Sequence, residues 1–400
     1  MLRDKQTTDF YLFSLANFLS AFGGGMILGK GAGVINIHSL QNGSIMAFFI
    51  GAALGLAFIQ KTPNKLYGTL TGCFSMCCAF TSLILFYIFE AYSVNNKIST
   101  TPGLFFFILL SIRFGFWFYA RALRASNTAG QQQRIAWVEL GYYLGMIFGL
   151  IIWKFLNINF GIATALLIDA ALQFSAGCLD LNARKTSHNF QHNNVNTAQI
   201  YHEQKYESIW KWKLIIAVVL LTIGSQVVIF SLTDESNSFS AYILASFYFG
   251  ASIAAFFCKK FKVQLTWNPV TNQKIGYATI KVDINGIKKE ISAIVLGIIS
   301  ICFVMMSVIL TKNTLLLIFV FLAAFFYEIF ALGILDRIGI EEKMFQHQGI
   351  VIRAYGMMSI CAALSLCLLS FANNSLYSLL LATGICIFST GFILRRRNII

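Results

Sequence analysis

Pro102-Gly-Leu-Phe-Phe-Phe-Ile-Leu-Leu-Ser-Ile-Arg113-Phe-Gly-Phe-Trp117-Phe-Tyr-Ala120 carries one charge and no proline after its first position. An apolar run of about 20 residues crosses the hydrocarbon core of a bilayer as a helix. Inside lipid a helix satisfies its own backbone hydrogen bonds, which an open strand cannot. On either side lie further runs, and together they predict twelve spans near 9–34, 42–60, 66–93, 102–120, 135–156, 158–179, 213–233, 239–257, 291–311, 313–335, 349–372 and 375–394. The expected fold is an all-α membrane protein of twelve transmembrane helices. A first six-helix bundle (1–180) and a second (213–400) are joined by a cytoplasmic linker (181–212).

Composition agrees. Apolar residues make up 57% of the chain and charged residues 12%, against about a quarter charged in soluble domains. The net charge of +14 reports orientation and not nucleic acid. With the N-terminus inside, 24 of the 30 basic residues fall in inward segments and only Lys30, Lys97, Lys154 and Lys312 in outward ones. Basic loops stay cytoplasmic, so both termini are placed in the cytoplasm of an inner (plasma) membrane. The first run is long and is followed by eleven others, which argues against a cleavable signal. The nine cysteines show no metal-ligand spacing and read as small apolar packing residues. No metal or cofactor is expected. His188, His192 and His202 read as parts of a polar linker, and Tyr206–Lys213 as an amphipathic surface helix.

A second polar insert, near 259–290, alternates apolar and polar residues: Val263, Leu265, Trp267, then Tyr277, Thr279, Lys281, then Ile287 and Ile291. Asn268-Pro269 and Asp283-Ile-Asn-Gly286 supply turn signals. A small cytoplasmic β-meander is expected there, outside the transport cavity and too small for an enzyme core.

The halves echo each other. Arg134 precedes Gly141 by seven residues, as Gly349 precedes Gly356, with Arg353 between the latter two. Repeated six-span halves mark one large group of secondary transporters, and here the chain resembles the major facilitator superfamily over nearly its whole length. Ser111-Ile-Arg113-Phe-Gly115 stands where the family often has a span-four arginine. Arg134 stands at the end of the loop before span five, and Gly141, Gly145 and Gly149 supply the small residues at every fourth position of that span. Two motifs depart from the family. Gln60 to Gly68 keeps the basic residues of the loop between spans two and three but lacks its acidic one. Tyr143-Leu-Gly-Met146 lacks the proline that marks many exporters, which leaves the direction of transport open.

Few ionisable residues fall within spans. A charge at the bilayer centre costs about 2.5–3.5 kcal/mol on insertion scales, so it faces a partner or a water-filled path. Arg113, Asp169 and Glu328, with Trp117 one turn from Arg113, are the candidate substrate or coupling residues. Internal ion pairing is the plain alternative for each. Arg134, Glu139, Asp336, Arg353, Gly141, Gly145 and Gly149 are candidate gate or structural residues. In a helix Arg113, Phe116 and Trp117 share a face, which suits a solute with an apolar body and an anionic group; Trp137, Tyr142 and Tyr143 could line the same space. Gly23-Gly24-Gly25, followed by Gly29, Gly31 and Gly33, would allow close helix approach or local unwinding.

The reading is a secondary active transporter of a small organic solute, working by alternating access with a proton or another coupling ion. The chain has no Gly-x-x-x-x-Gly-Lys-Ser/Thr loop for ATP. A membrane-embedded enzyme would want clustered His, Asp or Glu at one membrane face. A non-transporting receptor on a transporter fold is the third possibility, separated from the first by a transport assay.

Overall fold

The computed structural model describes residues 2–28, 47, 50–51, 67–94, 97–98, 100–128, 132–159, 161–187, 216, 239–260, 262–269, 276–284, 287–310 and 314–344. Its helices are α1 (Leu2–Leu28), α2 (Tyr67–Tyr92), α3 (Thr100–Thr128), α4 (Gln132–Asn159), α5 (Gly161–Ser187), α6 (Phe239–Lys260), α7 (Ala293–Ile309) and α8 (Leu315–Met344). They match the expected spans one, three, four, five, six, eight, nine and ten. Spans two and seven, apart from isolated helical residues, and spans eleven and twelve lie outside the described residues, as does the linker beyond Ser187 with its histidines. Among the described residues six helical segments are long and apolar enough to cross a membrane: Tyr11–Leu28, Thr69–Tyr92, Thr101–Ala125, Ile135–Trp153, Gly161–Ala183 and Leu315–Gly333. Their outward faces carry large apolar side chains such as Phe80, Tyr87 and Phe105, as a surface solvated by lipid requires.

Three helices run eight or nine residues past the C-terminal ends of their expected spans. α3 continues eight residues beyond 120, α5 reaches Ser187, and α8 reaches Met344. Arg121 and Arg124, expected in an inward loop, are therefore helical and buried. The residues around them, Ala-Arg-Ala-Leu-Arg-Ala, are good helix formers, and carboxylates on neighbouring helices neutralise both charges.

In the first half α1 packs between α4 and α5, while α2 packs on α3 and α5. The glycines of α4 set the first of these contacts. A Cβ on Gly141, Gly145 or Gly149 would lie 2.3 Å from the carbonyl oxygen of Ser14, Phe18 or Phe22 respectively. Every fourth residue of α4 thus rides on every fourth carbonyl of α1. α4 and α5 are separated by one residue, and Gly161, at φ 70°, takes the left-handed conformation that glycine allows cheaply. In the second half α8 packs on α6 and α7, and α4 packs across onto α6 and touches α8, so α4 forms the seam between halves.

The insert is an antiparallel sheet: β3 (Lys262–Pro269), β4 (Gly276–Ile284) and β5 (Ile287–Ser292), in that order, as the alternation predicted. Leu265 pairs with Ile280 and Ile280 with Ile291; Ile280 is 1% exposed. A shorter hairpin, β1 (Ser93–Val94) with β2 (Lys97–Ile98), joins α2 to α3.

Candidate functional site

Arg113, on α3, is wholly buried and pairs with Asp169 on α5. Its Nη2 donates to Oδ1 at 2.5 Å and its Nε to Oδ2 at 3.1 Å. The carboxylate also accepts the Ser82 hydroxyl of α2 at 2.5 Å and the Gln173 side-chain amide at 3.1 Å. Gln173 is itself fixed to α1, donating to the Ser20 carbonyl at 2.9 Å and accepting the Ser20 hydroxyl at 2.6 Å. Four helices thus hold Asp169. The guanidinium lies beside two rings, 4.9 Å from the Phe114 centroid and 5.4 Å from that of Trp117, the arrangement that favours a cation over an aromatic face. Its remaining nitrogen, Nη1, is buried and has no hydrogen-bond partner among the described residues.

The glycine triplet of α1 makes room for this cluster. A Cβ on Gly23 would sit 2.0 Å from Asp169 Oδ1, one on Gly24 2.9 Å from the Trp117 ring, and one on Gly25 2.8 Å from the Met146 carbonyl oxygen. Three successive positions, about 100° apart around the helix, meet α5, α3 and α4. The helix is unbroken through Leu28, so close approach, of the two expected roles, is the one these three glycines serve.

A second layer lies two turns further along α3. Arg121 pairs with Glu139 on α4, and its guanidinium carbon lies 3.4 Å from the centroid of the Tyr142 ring. Tyr142 is 5.7 Å from Trp117 and 6.1 Å from Tyr248 of α6. Tyr143 is 6.2 Å from Tyr248 and donates its hydroxyl to Glu328 on α8 at 2.6 Å. A continuous ladder of cations and rings therefore runs from Arg113 through Trp117 and Tyr142 to the seam, where Glu328 of the second half meets the first.

A third layer lies about one turn further along α3. Arg124 grips Asp180 of α5, with Nε to Oδ1 at 3.0 Å and Nη2 to Oδ2 at 2.7 Å. Its Nη1 donates to Asn17 at 2.9 Å and its Nη2 also reaches Ser75 at 2.9 Å. All three nitrogens are engaged. Both arginine–aspartate pairs are 56 residues apart in sequence, and the two pairs are set eleven residues, about three turns, apart on two helices of the same direction.

Of the residues expected from sequence, Arg113, Trp117 and Asp169 come together. Glu328 lies in the other half, reached through Tyr143, and Glu139 belongs to the Arg121 layer. Gly141, Gly145 and Gly149 face α1. Phe116 turns away from Arg113 toward Phe74, with ring centroids 5.6 Å apart. Trp137 packs edge-on to Tyr11 at 5.5 Å and is no part of the ladder. The side chains of Arg134 and Asp336, and all of Arg353, lie outside the described residues. Sequence reasoning missed Arg121, Arg124, Asp180, Gln173 and Tyr248 as site residues. The signal was present: Arg113, Trp117, Arg121 and Arg124 form an i, i+4, i+8, i+11 stripe, and Asp169, Gln173 and Asp180 a matching one. No group of three His, Cys, Asp or Glu side chains comes together as a metal site among the described residues.

These helices define a polytopic membrane protein. No family model matches the sequence, and no curated protein is similar to it in sequence. The fold is similar to the crystal structure of the human organic anion transporter MFSD10 (TETRAN), with a TM-score of 0.54 over 96% of this chain and 97% of that one, at 12% identity. The expected resemblance to the major facilitator superfamily therefore holds at the level of the fold.

Proposed function

We propose that the chain is a secondary active transporter that moves a small organic solute with an anionic group across the membrane by alternating access. The observation that carries the reading is Arg113 Nη1, a buried guanidinium donor with no partner among the described residues and two rings beside it. Leaving a buried charged donor unsatisfied costs more than leaving a neutral one, about 1–3 kcal/mol or above, and a carboxylate, sulfonate or phosphate ester would satisfy it. Phe114 and Trp117 suit an apolar body attached to that anion. The fold likeness to an organic anion transporter points the same way.

In this reading the solute anion shares Arg113 with Asp169, which Ser82 and Gln173 keep in place when the arginine is drawn off. Glu328 on the opposite half is the coupling group: its carboxyl meets the seam through the Tyr143 hydroxyl, and taking up or releasing a proton or another ion there changes what holds the halves together. The Arg121–Glu139 and Arg124–Asp180 layers close the end of the bundle that carries the insert, and the basic-residue asymmetry supports a cytoplasmic side for that end. No step makes or breaks a covalent bond.

The test is uptake into vesicles of purified protein, with a panel of organic anions matched to neutral amide or ester analogues. Anions should be carried and their analogues not, and Arg113→Lys should lose most of that uptake because ammonium lacks the planar fork. Equal transport of both sets, or none of either across a broad panel, would overturn the reading.

A further inference from the structure

We infer that the three-stranded insert is a clasp across the two halves, which holds the insert end of the transporter closed. The inference rests on the alternating-access reading above and adds a residue segment to it. By chain connection the sheet belongs to the second half: β3 follows α6 after one residue, and β5 runs directly into α7. β4 and β5 lie against α7, and β3 lies against α6 and α8. Yet β3 also reaches α4, a helix of the first half. A sheet confined to Lys262–Ser292 is below the roughly 40 residues at which a chain can bury enough apolar surface to stand alone. Its buried central residue, Ile280, sits in a row with Leu265 and Ile291, and the helix ends supply the surface that covers it.

The strand thus touches both rocking bodies at one end only. α4 is also the helix that carries Glu139, Tyr142 and Tyr143, so the sheet and the seam act on the same element. Opening this end must part α4 from α6 and α8. β3, tied to α6 by one residue, stays with the second half, and its contact with α4 breaks. Contacts present in one state and absent in the other shift the balance between the two by their full differential free energy. The clasp therefore favours the state closed at the insert end and slows its opening, while remaining outside the path of the solute.

The experiment measures this balance without a solute. In the full-length chain with its native cysteines replaced, spin labels on Gln133 of α4 and Lys343 of α8 report the separation of the halves at that end in lipid vesicles. One variant replaces residues 263–291 by a Gly/Ser linker. A second keeps the sheet intact but adds Gly-Gly-Ser on each side of it, after Lys260 and after Ser292, so that the sheet is no longer held at its place. Thermal unfolding identifies any variant that has lost its fold, and the second variant serves if the first does. The long-distance population should rise several-fold in both. A two-population distribution that both folded variants leave unchanged overturns the clasp alone. A single distance in every sample, unmoved also by Glu328→Gln, overturns the clasp and alternating access together.

Discussion

Removing Arg113 and Asp169 singly and together separates a brace from a binding site. The pair makes two charge-assisted contacts, at 2.5 and 3.1 Å, in a wholly buried setting. Deleting one partner of such a pair strands the other charge and costs about 3–5 kcal/mol, whereas deleting both can be close to neutral. Arg113→Ala leaves Asp169 with Ser82 and Gln173 as its remaining hydrogen-bond donors among the described residues, which lowers the cost toward the bottom of that range. Asp169→Ala leaves the guanidinium with only its two rings among the described residues and costs more. The double variant should be more stable than Asp169→Ala, read as thermal unfolding of the purified protein in detergent. Transport then decides the role. If Arg113 only braces the helices, the double variant regains uptake along with its stability. If Arg113 holds the solute anion, stability returns and uptake does not. Arg113→Lys forfeits the fork and at least one charge-assisted hydrogen bond, worth about 1.5–3 kcal/mol, or roughly 10- to 150-fold in affinity. Near-normal uptake by Arg113→Ala, or by the double variant, refutes the assignment of Arg113 to the solute.

Other outcomes follow from the same contacts. Gly145→Ala places a methyl 2.3 Å from the Phe18 carbonyl oxygen and should destabilise the protein by about 1–3 kcal/mol, seen as a lower unfolding temperature; an unchanged value would mean that α1 and α4 are free to separate. Tyr143→Phe removes the hydroxyl that Glu328 accepts, so it and Glu328→Gln should both alter the pH dependence of uptake. A pH profile identical to that of the parent in both variants would remove Glu328 from coupling. A single cysteine at Thr271, in a chain lacking the native cysteines, should be shielded from an impermeant thiol reagent in intact cells, and one at Asn96 should react. Labelling at Thr271 from outside would invert the proposed orientation.

The spans were legible because lipid enforces them. A run such as Leu315–Gly333 has to be helical and about as long as the hydrocarbon core. The strands of the insert were legible for the opposite reason: outside lipid, the alternation at Val263, Leu265 and Trp267 carries the period of a half-buried sheet. What hydropathy hid was the continuation of α3. A scale that charges each arginine the cost of an isolated ion ends the span at Ala120, yet Arg121 and Arg124 are buried because Glu139 and Asp180 answer them. The Tyr143–Glu328 contact, 185 residues apart, had no local signature at all, since it depends on how α4 meets α8.

The two arginine–aspartate pairs differ in one respect that bears on the role proposed for Arg113. Arg113 and Arg124 stand on the same face of α3, each gripping an aspartate of α5 at the same sequence offset, each buried. Helix geometry alone gives no reason for them to differ. Arg124 engages every nitrogen, through Asp180, Asn17 and Ser75, which is how a buried cation is completed when its task is to hold helices together. Arg113 meets Asp169 with Nε and Nη2, while its third nitrogen has no hydrogen-bond partner among the described residues and its guanidinium lies beside the Phe114 and Trp117 rings. Small residues at Gly23 and Gly24 keep the space between α1 and this cluster so narrow that a single added methyl would collide with Asp169 or Trp117. Admitting a solute there requires α1 to move away from α3 and α5. In the proposed transport cycle the donor that would bind the anion and the helix that would have to yield are therefore neighbours, and binding at Arg113 would displace α1 by contact.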